Sequence, residues 1–324
     1  MTRSLALAGA LVVVLLAVAW VVYGRTVGND GPTTVSRTLD AGTTQSAGTG
    51  EASGDGGTAA PPVDARAEIT ELRGAVQTRA GQSPWADAVP GQRLGSDDSV
   101  RAGRASEATL RLGDGVEVHL SPRSEFTVRE LSAEVSRIRL DEGHVTASVD
   151  EQGKRVLRVQ AKGSDAEAES SGGRFGVVAD GTGQLAVATS TGTVKLSAAG
   201  QTVEVAAGET SAVTGGAPSA PRPIPGSLVL KVGALGPAKT RDLTTTVSGQ
   251  ADPGSLVKVG EQLARVDDKG RFQVKVPLKD GQNQLAIDVT DATGRTKTEK
   301  LPAITVDRTK PDIDAQTTWG EKKN

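Results

Sequence analysis

Between Ala108 and Leu120 the chain alternates apolar and polar residues with a strict period of two, a pattern that no helix can bury along one side. Ala108-Thr-Leu110-Arg-Leu112 runs in this phase, Gly113-Asp114-Gly115 interrupts it, and Val116-Glu-Val118-His-Leu120 resumes it. Alternate side chains of a strand point to opposite faces, and Asp-Gly supplies the positive φ angles of a tight turn, so the segment predicts a β-hairpin with one face in a core. Similar short runs recur at 155–161, 174–178, 184–189, 193–196 and 202–206, with turns every eight to twelve residues, often at glycine. Aromatics are only 2% of the chain and Gly numbers 40, which disfavours large helical cores and favours many short strands. Val135-Ser-Arg-Ile-Arg-Leu140 reads as a strand followed by a turn at Glu142-Gly143.

Composition removes several kinds of chemistry. A net charge of −2 gives no electrostatic case for nucleic acid. With no Cys there are no disulfides, thiol nucleophiles or thiolate zinc sites, and His119 and His144 are too few for a histidine metal cluster.

Along the chain, Leu5–Tyr23 is an uninterrupted uncharged run long enough to cross roughly 30 Å of hydrocarbon as a helix. Trp20 and Tyr23 sit at one end, and Arg3 and Arg25 bracket it. The expected reading is a retained anchor; the rival is a signal peptide cleaved after Ala17-Val18-Ala19. Residues 1–4 would form a short cytoplasmic end. Residues 24–67 are Gly, Thr, Ser, Ala and Asp with little to bury, a composition expected to stay disordered and to span roughly 35 Å as a coil. Four prolines mark a link at 215–227, a second set of strand runs fills 228–311, and 312–324 is a polar tail with Trp319.

The stretch from Pro84 to Val128 resembles the FecR family of periplasmic β-domains. The resemblance rests on Trp85, Ala88, Gly91 and Leu94, then Gly103, Ser106, Ala108, Leu110, Leu112, Asp114, Gly115, Val118 and Leu120. Ile138-Arg-Leu140-Asp-Glu-Gly143, Val156-Leu-Arg-Val159 and Gly192-Thr-Val194-Lys-Leu196 extend it over about 68–214. Where the family often carries V-R-G-T-x-F, this chain has Ser171-Gly172-Gly173-Arg174-Phe175. The matching residues are folding residues, and the resemblance implies that everything beyond the anchor lies outside the cytoplasm. Sigma-regulating members of that family hold a helical segment on the cytoplasmic side, for which four residues leave no room.

Residues 228–311 look like a bacterial immunoglobulin-like module, through Gly249-Gln-Ala251-Asp-Pro253-Gly254, Asp267-Asp-Lys-Gly270-Arg-Phe272, Leu278-Lys-Asp-Gly281-Gln-Asn283 and Val306-Asp307-Arg-Thr309-Lys-Pro311. The expected architecture is therefore all-β: a transmembrane helix, a disordered linker, a FecR-like roll or sandwich and an immunoglobulin-like sandwich.

No catalytic, cofactor or metal site is expected. Asp267-Asp268-Lys-Gly270 offers far fewer oxygens than the six to eight calcium takes and reads as a hairpin turn. Ser255 and Lys258 have S-x-x-K spacing, but in a strand they fall on opposite faces. His119 is expected to face solvent beside Glu117. The expected function is non-enzymatic: an inner-membrane, single-pass protein whose periplasmic β-domains capture an envelope protein or a cell-wall glycan. The alternatives are a FecR-type component of transmembrane signalling acting through a membrane partner, and an accessory module of a polysaccharide-processing system.

Overall fold

The computed structural model describes residues 66–309. The apolar run 5–23, the segment up to residue 65 and the tail from residue 310 with Trp319 lie outside the described residues. Among the described residues the structure is strand and turn throughout, as the alternation predicts, and no helix is long and apolar enough to cross a membrane.

The first lobe contains β1 (Ala67–Arg73), β2 (Val76–Arg79), β3 (Ala86–Asp87), β4 (Arg93–Leu94), β5 (Ser99–Ala102), β6 (Glu107–Leu112), β7 (Val116–Leu120) and β8 (Glu125–Leu131). It continues with β9 (Val135–Val149), β10 (Val156–Ala161), β11 (Glu167–Ser170), β12 (Gly173–Ala179), β13 (Leu185–Ala198), β14 (Gln201–Ala206), β15 (Glu209–Val213) and β16 (Arg222–Pro223). One layer runs β4-β1-β6-β7-β9-β12-β13-β15-β16, and the other runs β3-β2-β5-β8-β9-β10-β11-β13-β14. The predicted hairpin is β6 and β7, with Leu110 opposite Val118.

β9 and β13 belong to both layers, which differs from the sequence expectation. β9 does not end in a turn at Glu142-Gly143. It pairs with β8 up to Glu142 and from Gly143 onward with β12. Likewise the runs 184–189 and 193–196 are one strand, β13, which pairs with β12 up to Gly192 and with β14 from Thr193. The corners fall on Gly143 and Gly192, at φ of 106° and 75°. Glycine holds such angles without strain, so the backbone bends while the ladder continues.

Between the layers, Leu110, Leu120, Phe175 and Val177 from one sheet meet Phe126, Ile138 and Leu140 from the other, all fully buried. Each such side chain contributes roughly 1.5–3 kcal/mol relative to exposure, and this burial is what the period-two pattern encodes.

The second lobe has β17 (Leu230–Val232), β18 (Lys239–Thr240), β19 (Thr244–Ala251), β20 (Leu256–Val259), β21 (Gln262–Ala264), β22 (Arg271–Pro277), β23 (Gly281–Asn283), β24 (Ala286–Thr290), β25 (Thr296–Lys300) and β26 (Ile304–Val306). They form three small sheets, β17-β19-β22, β18-β26-β23 and β21-β20-β24-β25, around Val247, Val257, Val266, Phe272, Ile287 and Val289. The proline-rich link between the lobes is stitched to the first one. β16 pairs with β15, and the Ser219 backbone N–H donates to Ala212 O. Prolines are tolerated there because an edge strand leaves one side of its backbone unpaired.

Candidate functional site

Most of the residues that carry the family resemblance are structural. Leu94, Leu110, Leu112, Val118 and Leu120 are in the core. Asp114 and Gly115 form the β6–β7 turn, and Gly91 holds a positive φ in a loop whose N–H donates to Ile69 O. Gly103 sits where a Cβ would press on Ser106 Oγ and Ala75 O, at 3.1 and 3.2 Å.

Trp85 is different, because it is half-exposed. The guanidinium carbons of Arg79 on β2 and Arg101 on β5 lie over its ring, 4.6 and 4.2 Å from the centroid. Stacking of this kind contributes about 0.5–2 kcal/mol, depending on desolvation. Arg101 donates through Nε and Nη2 to Gln77 Oε1, at 3.0 and 2.7 Å. Gln77 in turn donates to Asp87 Oδ1. Arg79 Nε is buried with no hydrogen-bond partner. On the neighbouring strand Glu125 stands opposite Arg101. Burial, and then the Asp141 carboxylate, push its pKa above the ordinary value, against the opposing pull of Arg79, Arg101 and Lys162. The result is a tryptophan platform fixed by two arginines.

The second place of interest is the seam between the lobes. Val178, Ala186, Ala188 and Ala212 point outward from the first layer and are buried against Leu256 and Ala292 of the second lobe. His144 points the same way from β9 and is buried. Its Nδ1 lies 2.8 Å from Ser121 Oγ and its Nε2 lies 3.2 Å from Ala292 O. A carbonyl can only accept, so Nε2 carries the proton and Nδ1 accepts from the Ser121 hydroxyl. Burial lowers the His144 pKa from 6.5 to about 4, outweighing the opposite effects of the Ala292 carbonyl and Asp291.

The turn that meets His144 is Asp291-Ala-Thr-Gly294-Arg295. Asp291 Oδ1 accepts from the N–H groups of Thr293 and Arg295 and from the Thr293 hydroxyl, while Oδ2 accepts from Arg295 Nε. Asp267-Asp-Lys-Gly270-Arg271 is built the same way, with Asp267 accepting from the Lys269 and Arg271 backbones and from Arg271 Nε. These bonds hold the Asp267 pKa low and account for its acidic residue as a turn former.

Further links cross the seam. Arg123 donates to Asp288 at 2.5 Å, Lys258 pairs with Glu142, and Gln184 Nε2 donates to Val266 O at 2.7 Å. Burial raises the Asp288 pKa, but the Thr298 hydroxyl and Arg123 outweigh it and leave it lowered. A groove of about 440 Å³ opens beside these pairs, floored by His144 and walled by Arg123, Lys258, Asp288 and Thr298.

Ser255 precedes β20 and is buried, while Lys258 within that strand is committed to Glu142. His119 is partly exposed, 3.7 Å from Glu107 and 3.4 Å from Thr109 Oγ1. Among the described residues no three His, Asp or Glu side chains are grouped to hold a metal. Sequence reasoning missed His144 and its docking turn. The repeated D-x-x-G-R was a visible signal for the turn, whereas His144 sits in the polar phase of its strand and nothing local marks it as covered.

Residues 98–195 match the family model described as FecR protein. The match covers less than a third of the chain, from just before β5 into β13, so Trp85, Gly91 and Leu94 lie outside it. No curated protein matches. Among solved structures the chain is similar to a candidate anti-sigma factor from Parabacteroides distasonis in two crystal structures, at 20% and 19% identity. Each covers 39% of this chain and 59% of its own, with a TM-score of 0.34. This chain therefore spans about three fifths of the length of those solved chains. Domains 3–5 of Drosophila OTK align over 74% of this chain and 87% of their own, at 11% identity and a TM-score of 0.17.

Proposed function

We propose that this protein is a FecR-type component of signalling at the cell envelope and is not an enzyme. In this reading Leu5–Tyr23 anchors it in the inner membrane and residues 24–67 form a tether. A FecR-like domain over 68–214 and an immunoglobulin-like domain over 228–311 stand on the periplasmic side. The observation that carries the reading is the FecR match over 98–195. The Trp85 platform supports a protein partner, because tryptophan and arginine are the residues that most often dominate protein–protein contacts. Arg79 and Arg101, partly exposed over the ring, favour a partner that presents acidic side chains.

The test is in-cell crosslinking with the tagged full-length protein, compared with Trp85→Ala and with a deletion of 68–214, alongside transcript profiles of the deletion strain. A discrete membrane or envelope protein that is lost in both variants, together with altered transcripts, is the expected result. Recovery of wall glycan in place of a protein, with transcripts unchanged, would overturn it in favour of glycan capture.

A further inference from the structure

We infer that the seam is an acid-released latch: His144, docked neutral against the Asp291–Arg295 turn, holds the second lobe on the first, and protonation of its ring frees it. The geometry of the contact is specific. Gly176 on β12 faces the turn, and a Cβ there would overlap Ala292 O and approach His144 Nε2 at 3.0 Å. Gly294 presents its backbone to the imidazole, where a Cβ would lie 2.9 Å from His144 Cε1. Two glycines thus bring two backbones against one histidine ring. Gly254 does the same farther along the seam, where a Cβ would lie 2.6 and 2.7 Å from those of Ala212 and Ala186.

A charged ring in this place has no free counter-ion. From the docking turn, Asp291 faces it but is already paired with Arg295. From β9 itself, Asp141 is held by Thr127 and Arg139, and Glu142 by Lys258. Across the seam, Asp288 is held by Arg123 and Thr298. His119 on β7 further disfavours the charged ring, and the charges of Arg123 and Lys258 are matched by Asp288 and Glu142. Protonation therefore places an unpaired charge in a desolvated site, and undocking returns the ring to water.

The sign follows from linkage. The docked histidine titrates near 4 and the released one near 6.5, so release takes up a proton as pH falls through this window. Between pH well above 6.5 and pH well below 4 the docking equilibrium weakens by about 300-fold, with roughly 75-fold already lost at pH 4.5.

The chain has no cysteine, so spin labels at the exposed positions Asp114→Cys and Lys275→Cys report the lobe-to-lobe distance in the full-length protein in detergent. An Arg123→Ala version, which loses one bridging pair, brings the equilibrium into the measurable range. The expected result is one narrow distance at pH 7.5 and a growing longer component toward pH 4.5. His144→Gln keeps an amide donor for Ala292 O and should abolish the pH response, and Gly176→Ala should be open at every pH. Distances that stay unchanged to pH 4.5 in both the native and Arg123→Ala chains would overturn the latch, as would the same acid response in His144→Gln.

Discussion

Gly143 and Gly192 hold φ angles of 106° and 75° inside strands, where β9 and β13 cross between layers. At Gly143 a side chain would also overlap Ser124. Gly143→Ala should therefore cost well over about 1 kcal/mol of stability in urea unfolding. Gly91→Ala, at a positive φ in open space, should cost less. An equal loss at the two positions would show that the corner carries no special constraint. Glu125 illustrates the opposite case. A carboxyl whose pKa is raised by folding is costly when ionised, so this cost is fully present at neutral pH and is relieved as pH falls toward the ordinary carboxylate range. Glu125→Gln should keep or raise the melting temperature at pH 7, and a clear fall would mean that Arg101 and Arg79 gain more from the charge than burial takes. The core leucines were legible in the sequence because alternation alone assigns them a side. Trp85 was legible as a marker but not as a platform, since Arg79 and Arg101 come from strands separated in sequence.

At the level of elements, the two D-x-x-G-R turns have the same internal bonds and different surroundings. Asp267-Asp-Lys-Gly270-Arg271 lies at the surface, while Asp291-Ala-Thr-Gly294-Arg295 lies against His144 and also reaches the link through Arg295 Nη1 to Pro225 O. Asp291→Ala should loosen the seam, seen as new cleavage by a protease in the 215–227 link, whereas Asp267→Ala should leave that link protected. If both variants behave alike, the second turn acts only locally. The turns themselves could be read from Asp and Gly spacing. Which of them docks could not, because that depends on where β24 and β25 are carried. The strand count had the same limit. Local pattern separates 184–189 from 193–196, and pairing with β12, β11, β14 and β15 joins them into β13.

For the whole described molecule, the seam decides whether two β lobes behave as one body. Apolar contact around Val178, Ala186 and Ala292, the Arg123–Asp288 pair and the His144 docking together predict a single calorimetric transition at pH 7. Gly176→Ala should split it in two, and two transitions already present in the native chain would show the lobes to be independent. The sequence by itself determined the all-β class, the core face of most strands and the main turns, because period-two alternation and glycine or aspartate turn chemistry act over a few residues. Only the tertiary structure decided that β9 and β13 serve two layers, that Arg79 and Arg101 meet at Trp85, and that a histidine in a polar phase is buried. Each of these depends on contacts between residues far apart in the chain, and local patterning carries no information about which solvent-facing positions another lobe will cover.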